Sequence, residues 1–280
     1  MRRFVHVFLV GGIGNQLSST AAGYVVARSQ SRPLMLHFRQ IMHNPLGDSI
    51  QSFELEGGLP GVQVHLARAS SDAWASSTER LVAHLRGKSK LFLIPQSLQS
   101  LPHDVAPIDF ITSKAAPWLV GNYESRELAQ EASRLGMSKP LRLRTPSPQA
   151  IALFDAAKGK RILGIHFRRG DFREWLNGAW VLPDDWYVSR ARRLGPDFDS
   201  IWIFSDEPQE ASIVFGGLPR CRVISGQGLV PTEEMVLLSQ CQGIVCSKSS
   251  FSWWSAFWAR EGTTVISPHG ENWRLTSWVP

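Results

Sequence analysis

Residues 162–171 read Ile162-Leu163-Gly164-Ile165-His166-Phe167-Arg168-Arg169-Gly170-Asp171, and the fold follows from how this stretch is parsed. The apolar run from Ile162 to Phe167 has the length of a buried strand. Its end gathers His166, Arg168, Arg169 and Asp171, the place where a parallel sheet delivers its chain to a ligand. Arginine suits an anion there, because its planar fork stays protonated and holds two oxygens at once. An arginine pair with a turn carboxylate is an ordinary surface feature too, so the reading gains weight only from a second anion-friendly element downstream.

That element is Ser247-Lys248-Ser249-Ser250-Phe251-Ser252, just ahead of an apolar helix expected from Trp253 to Arg260. Hydroxyls and unpaired N–H groups crowning a helix N-terminus favour phosphate. Between the two elements the chain alternates. A helix is expected from about Asp184 to Leu194, strands at Ile201–Phe204 and Arg222–Ile224, a helix at Glu233–Cys241 and a strand at Gly243–Cys246. Alternation of this kind predicts an α/β fold with a parallel sheet, its ligands outside the carboxyl ends of the strands. Asp206, after the strand ending at Phe204, lies at such an end.

Upstream, Phe4–Val10 reads as a strand leading into Gly11-Gly12-Ile13-Gly14-Asn15-Gln16-Leu17 and then a small-residue helix from Ser18 to Arg28. A glycine turn lets backbone N–H groups approach a ligand, yet this one has no Lys-Ser/Thr ending, and Leu17 stands where a dinucleotide fingerprint has its third glycine. Pro33–Phe38 is a further strand, and the chain from there to Pro117 reads as irregular. His37 and His43 could face a substrate, although lone histidines at strand ends are mostly ordinary surface or core residues. A helix is expected over Ser125–Gly136. Pro140, Pro146 and Pro148, with Arg142 and Arg144, then form a stiff connection, which sets domains at 1–145 and 146–280.

At 280 residues, 43% hydrophobic and 19% charged, the chain is expected to be globular rather than disordered. Thirty Lys plus Arg against 24 Asp plus Glu leave a net charge of +6, which favours phosphorylated substrates or an anionic membrane surface. No nucleic-acid partner is expected, because no basic run is interleaved with stacking aromatics. Cys221, Cys241 and Cys246 have no metal-site spacing and are expected to be reduced. Met1-Arg2-Arg3 and the following seven-residue, largely apolar run mimic the start of a signal peptide but run into Gly11-Gly12, so the run is read as the first strand. No stretch reaches the roughly 20 apolar residues of a membrane span, and any membrane contact is expected to be peripheral.

Taken together, Gly11–Leu17, His166–Asp171, Phe204-Ser205-Asp206 and Met235–Trp258 resemble the motifs of the α1,2-fucosyltransferase family, which reads G-G-L-G-N-Q-M, H-V-R-R-G-D, F-S-D-D and N-S-T-F-S-W-W in that order. Gly121-Asn122-Tyr123-Glu124-Ser125 and Val265-Ile266-Ser267-Pro268 are weaker echoes. The arginine motif is shared with α1,6- and protein O-fucosyltransferases, so the tryptophan-rich run points to this branch.

The resemblance implies two Rossmann-like domains facing a cleft (a GT-B glycosyltransferase), with the first on the acceptor side and the second binding the donor. It implies transfer of L-fucose from GDP-β-L-fucose to a galactose hydroxyl in α1,2 linkage, with inversion and without a metal or other cofactor. By position, Arg168 would hold the β-phosphate with support from His166. Gly12, Gly14 and Asn15 would approach the diphosphate or fucose, and Ser250, Phe251 and Ser252 would line the nucleotide pocket. Asp171 or Glu174 would serve as base, although Asp171 could equally do no more than pair with an arginine. Asp206 or Glu234 would accept the N1–H and N2–H of guanine, and Glu234 could equally serve only its helix dipole. Trp175, Trp180 and Trp186 could stack on sugars, whereas Trp253, Trp254 and Trp258 are expected in the core.

Departures at Ser18-Ser19-Thr20, Ser247-Lys248-Ser249 and Asp206-Glu207 bear on acceptor choice and, to a smaller degree, on donor choice. The expected partners are GDP-fucose and a galactose-containing glycan or lipid-linked oligosaccharide, and the expected location is the cytoplasm, with contact at the inner face of the membrane. Use of another GDP-sugar, or a catalytically silent sugar-binding module, are the alternatives.

Overall fold

A computed structural model describes residues 4–9, 11–38, 49–67, 118–120 and 123–268. The chain divides into two compact units, one running to Arg142 and the other beginning at Leu143.

The first unit holds a parallel sheet of β1 (Val5–Phe8), β2 (Leu34–His37), β3 (Val64–Ala67) and β4 (Trp118–Val120), in the order β3-β2-β1-β4. Helix α1 (Ile13–Ser29) is buried along nearly its whole length. Small residues permit this: a Cβ added at Gly23 would lie 2.4 Å from Val7 Cγ2 on β1. The helix begins five residues before the expected Ser18. Gly11 alone takes a left-handed backbone (φ 68°), Gly12 is the N-cap, and Gly14 and Asn15 therefore lie in the first helical turn. Buried Gln16 ties this turn down, donating to Gly11 O at 3.0 Å and accepting from Ile50 N at 3.0 Å.

The stretch read as irregular contains a 3-10 turn at Ile50–Ser52, the short helix α2 (Leu55–Gly58) and β3. Every residue of β3 is half-buried, so this edge strand has no inside–outside alternation to signal it. His37 is a sheet residue. Its Nε2 lies 2.9 Å from His6 Nδ1 and its ring stacks on Phe8, while burial, with His6 beside it, pushes its pKa down to about 4. His43 lies outside the described residues. Helix α3 (Arg126–Arg134) follows, capped by Ser125 Oγ accepting from Leu128 N at 3.3 Å.

The second unit holds β5 (Ile162–Phe167), β6 (Ser200–Ser205), β7 (Cys221–Val223), β8 (Gly243–Val245) and β9 (Thr264–Ile266), all parallel, in the order β7-β6-β5-β8-β9. Central β5 is buried at all six positions, which is why it reads as a nearly continuous apolar run, interrupted only by His166. On one face Leu163, Ile165 and Phe167 pack with Tyr187, Phe198, Ile203 and Phe215. On the other, Gly164 lets Leu238 and Cys241 come close, since a Cβ there would lie 2.5 Å from Leu238 Cδ1.

Helices α4 (Pro148–Ala157), α5 (Asp184–Leu194), α6 (Pro208–Phe215), α7 (Pro231–Ser239) and α8 (Ser250–Phe257) connect the strands. Prolines start three of them. Pro148, read as part of a linker, is instead the first residue of α4, where a missing N–H costs nothing. Helix α6 went unread because only Ala211 and Phe215 are buried along it. Ser249 caps α8 by accepting from Phe251 N at 3.2 Å, so the helix starts at Ser250 rather than Trp253. Trp253, Trp254 and Trp258 are buried, in accord with the core role expected of them.

One buried carboxylate joins two helix starts. Glu233 accepts from Ser147 N at 2.6 Å, Ser147 Oγ at 3.1 Å and Val230 N at 3.0 Å, the last being the backward half of a capping box. Removing it strands these donors. Glu233→Ala is expected to lower stability by about 2–3 kcal/mol in urea unfolding. Glu131→Ala, which breaks an exposed pair with Arg134, should cost under about 1 kcal/mol. Equal losses would refute the clamp.

Candidate active site

In the second unit the chain runs from β5 out to β6 and β7, then returns to β8 and β9 on the other side. The order of strands therefore reverses between β5 and β8, the position where open parallel sheets leave a crevice at their carboxyl ends. His166 and Arg168 arrive there from β5, Ser205 and Asp206 from β6, and Ser247 from β8.

The two arginines have separate tasks. Arg169 turns inward, with a side chain only 3% exposed. Its Nη1 donates to Leu182 O at 2.9 Å and Arg168 O at 3.2 Å, its Nη2 pairs with Asp184, and its Nε donates to Glu210 Oε1 at 3.3 Å. The guanidinium carbon lies 3.8 Å from the centre of the Phe167 ring. Every face of this cation is used within the fold.

Arg168 lies at the crevice. Its side chain is 15% exposed, with Nη1 3.2 Å from Asp206 Oδ2 and Nη2 2.5 Å from Asp171 Oδ1. Its buried Nε has no hydrogen-bond partner among the described residues. The two carboxylates differ: Asp171 is 68% exposed and Asp206 10%. Asp206 also accepts from Arg169 N at 2.9 Å, so one carboxylate grips both arginines, and Gly170 makes room for it. With φ at 22°, a Cβ on Gly170 would lie 2.2 Å from Asp206 Oδ2. Burial pushes the pKa of Asp206 up, with the Arg168 charge and the Arg169 N–H opposing.

His166 is buried, with Nδ1 2.8 Å from Ser247 Oγ, and Phe251 stacks on its ring at 4.6 Å. Burial, reinforced by Arg168, pushes its pKa down to about 3, so the imidazole is neutral. Phe251 and Ser252 lie in the first turn of α8. Ser252 Oγ donates to the carbonyls of Ser247 and Ser249, so it serves this turn from within.

Beside β6, Ser205 N donates to Ser225 Oγ at 2.8 Å, and Ser225 Oγ donates to Glu234 Oε2 at 2.7 Å. Glu234 is thus joined to the end of β6 through Ser225. Neither Ser225 nor Ser247 was singled out as a site residue from sequence. Ser247 lay inside the serine-rich run, while Ser225 had no signal beyond its place after a short strand.

Gly12, Gly14 and Asn15 lie after β1 in the first unit. Glu174 is exposed and ends the 3-10 turn Gly170–Arg173. Trp186 packs on the core and is covered by Arg190 at 4.0 Å, which makes it a packing residue. Trp180 meets Phe172 edge-on at 5.8 Å. Among the described residues, no three His, Cys, Asp or Glu side chains converge as a metal site, and no helix is long and apolar enough to cross a membrane.

The family model for Glycosyl transferase family 11 matches residues 152–274, a span that contains every residue of this crevice. The second unit thus contains the segment that is similar to glycosyltransferase family 11. O-antigen biosynthesis glycosyltransferase WbnK of Escherichia coli is 31% identical over 113 residues, 37% of this chain and 37% of that protein. Galactoside alpha-(1,2)-fucosyltransferase 1 of Rattus norvegicus is 27% identical over 121 residues, 38% of this chain and 30% of that protein. The matched part thus spans only about a third of these relatives' own length.

Among solved structures, fucosyltransferase NodZ from Bradyrhizobium aligns over 97% of both chains with TM-score 0.56 and 17% identity. Escherichia coli ADP-heptose lps heptosyltransferase II covers 95% of this chain and 84% of its own, with TM-score 0.50 and 14% identity. These likenesses show the fold, α/β with parallel sheets.

Two outcomes follow from the geometry of this crevice. Arg169→Ala should destabilise by about 3 kcal/mol in denaturant titration, because it removes a buried cation that satisfies two carbonyls and two carboxylates. Arg168→Ala should cost less than half as much, since Asp171 is solvated and Asp206 keeps the Arg169 N–H; the reverse order would overturn the division of labour. The second outcome concerns pH. His166 takes up a proton near 6.5 when unfolded but only near 3 when folded. The unfolded state therefore binds more protons in that window, and stability falls as pH falls, by about 1.4 kcal/mol per unit at full effect. His166→Asn should remove this component between pH 6 and 4, and parallel stability curves for variant and wild type would contradict it.

Proposed function

We propose that this protein transfers L-fucose from GDP-β-L-fucose to a galactose hydroxyl of a glycan, forming an α1,2 linkage with inversion. The observation that carries this reading is Arg168. A guanidinium whose Nε is unpartnered among the described residues stands just past the end of β5, beside the strand-order reversal of the segment that matches glycosyltransferase family 11. The two units would be the Rossmann-like halves of a GT-B enzyme, with residues 1–145 on the acceptor side and 146–280 binding the donor.

In this reading the acceptor hydroxyl oxygen forms a bond to the fucose anomeric carbon while the bond from that carbon to the β-phosphate oxygen breaks. The bonding pair leaves on GDP. Arg168 faces the charge that develops there, and Arg169 and Asp206 hold Arg168 in place without reorganisation during the reaction. Neutral His166 adds no second positive charge. The acceptor proton needs a base, and Asp171, exposed and released by Arg168 when phosphate takes its place, is our candidate. No metal is needed in this scheme, because a fixed guanidinium supplies the positive charge. Guanine would be read by Asp206 or Glu234.

The test is transfer from GDP-fucose to a panel of galactosides with mass detection. Arg168→Ala should lose about 10²-fold or more, and Arg168→Lys should recover little, since a point charge does not replace a fork. Wild-type transfer should persist in EDTA. Retention of half the rate by Arg168→Ala at saturating donor would refute the assignment, while transfer from another GDP-sugar alone would redirect it to a different donor.

A further inference from the structure

The hydrogen bonds around His166 determine where its proton sits. Ser252 Oγ lies 3.2 Å from Ser247 O and 3.1 Å from Ser249 O, and carbonyl oxygens only accept, so the single Ser252 proton is committed to them. Ser252 Oγ then has only lone pairs to offer Ser247 Oγ, 3.4 Å away. If the Ser247 proton pointed at His166, two fully or nearly buried hydroxyl oxygens would face each other with no hydrogen between them. Pointing it at Ser252 gives every proton an acceptor. It also leaves Ser247 Oγ as the acceptor for His166 Nδ1 at 2.8 Å.

We infer that Ser247, backed by Ser252, is a positioning residue that holds His166 as its Nδ1-protonated tautomer and presents Nε2 as a lone-pair acceptor for a hydroxyl or N–H of the bound nucleotide sugar. The ligand clause rests on the proposed function; the positioning clause does not. Three features of the site agree. No described residue hydrogen-bonds Nε2. Phe251 stacks on the ring with an interplanar angle of 21°, which sets the plane in which that lone pair lies, while the Nδ1 contact to Ser247 Oγ sets the rotation within it. The ring is neutral, held so by burial and by Arg168, so one nitrogen must be an acceptor. A serine at position 247 therefore works as an acceptor for the ring.

The experiment uses the full chain labelled with ¹⁵N-histidine. Long-range ¹H–¹⁵N spectra report the tautomer, the His166 signals being assigned by their loss in His166→Asn, and calorimetry reports affinity for GDP-fucose. Wild type should show the Nδ1–H form without ligand. Ser247→Ala should lose that preference and bind GDP-fucose about 5- to 10-fold more weakly, the effect of one neutral hydrogen bond. Ser247→Thr, which keeps the hydroxyl, should restore both.

A wild-type Nε2–H tautomer overturns the inference, as does a Ser247→Ala protein with unchanged tautomer or unchanged affinity. Should Ser247→Ala not fold, the wild-type tautomer decides. A wild type that shows Nδ1–H but takes up no GDP-fucose overturns the nucleotide reading and the ligand clause with it, while the ligand-free spectra still judge the positioning of His166.

Discussion

The second unit's crevice depends on a cation that never reaches it. Arg169 is buried under Phe167 and Tyr187, and it satisfies the carbonyls of Leu182 and Arg168 while pairing with Asp184 and Glu210. A buried charge survives only when its donors are used, and here their use draws the chain after β5, the segment before α5 and helix α6 onto one point. The backbone of Arg169 is thereby held where its N–H meets Asp206.

From that anchor the electrostatics of the crevice follow. Asp206 is desolvated and would resist ionising alone, but Arg168 and the Arg169 N–H supply what water cannot. Arg168 is then pinned on one side by Asp206 and balanced on the other by Asp171, which is solvated and replaceable. Arg168 is thus held between one buried and one solvated carboxylate. His166 contributes by staying neutral, so the positive charge is confined to a single fork whose direction is set.

Between the pieces, packing rather than propensity sets the distances. Gly164 lets α7 lie against β5, and Gly170 lets Asp206 approach the arginine loop. Glu233 holds the starts of α4 and α7 together, and the next residue, Glu234, is carried to Ser225 at the end of the sheet. The site thus stands on elements whose separations leave little freedom for a side chain of different size.

The parallel sheets, the position of β5 to the residue, and the gathering of His166, Arg168 and the serine-rich turn at strand ends were legible in the chain, because buried strands and strand-end charges are local patterns. It also carried the motifs on which the resemblance to the α1,2-fucosyltransferase family rests. It did not show β3, whose edge position erases alternation, or α6, which buries too little to be periodic, and it misread Pro148 as a linker when it starts a helix. Which arginine serves the fold and which the crevice, that Asp206 is engaged by both, and that Ser247 meets His166 across 81 positions of sequence emerge from the folded arrangement alone. Adjacent arginines look alike in one dimension. Their roles separate when the turn at Gly170 sends one side chain under Phe167 and the other toward the strand-order reversal, and that choice is made by contacts distant in the chain.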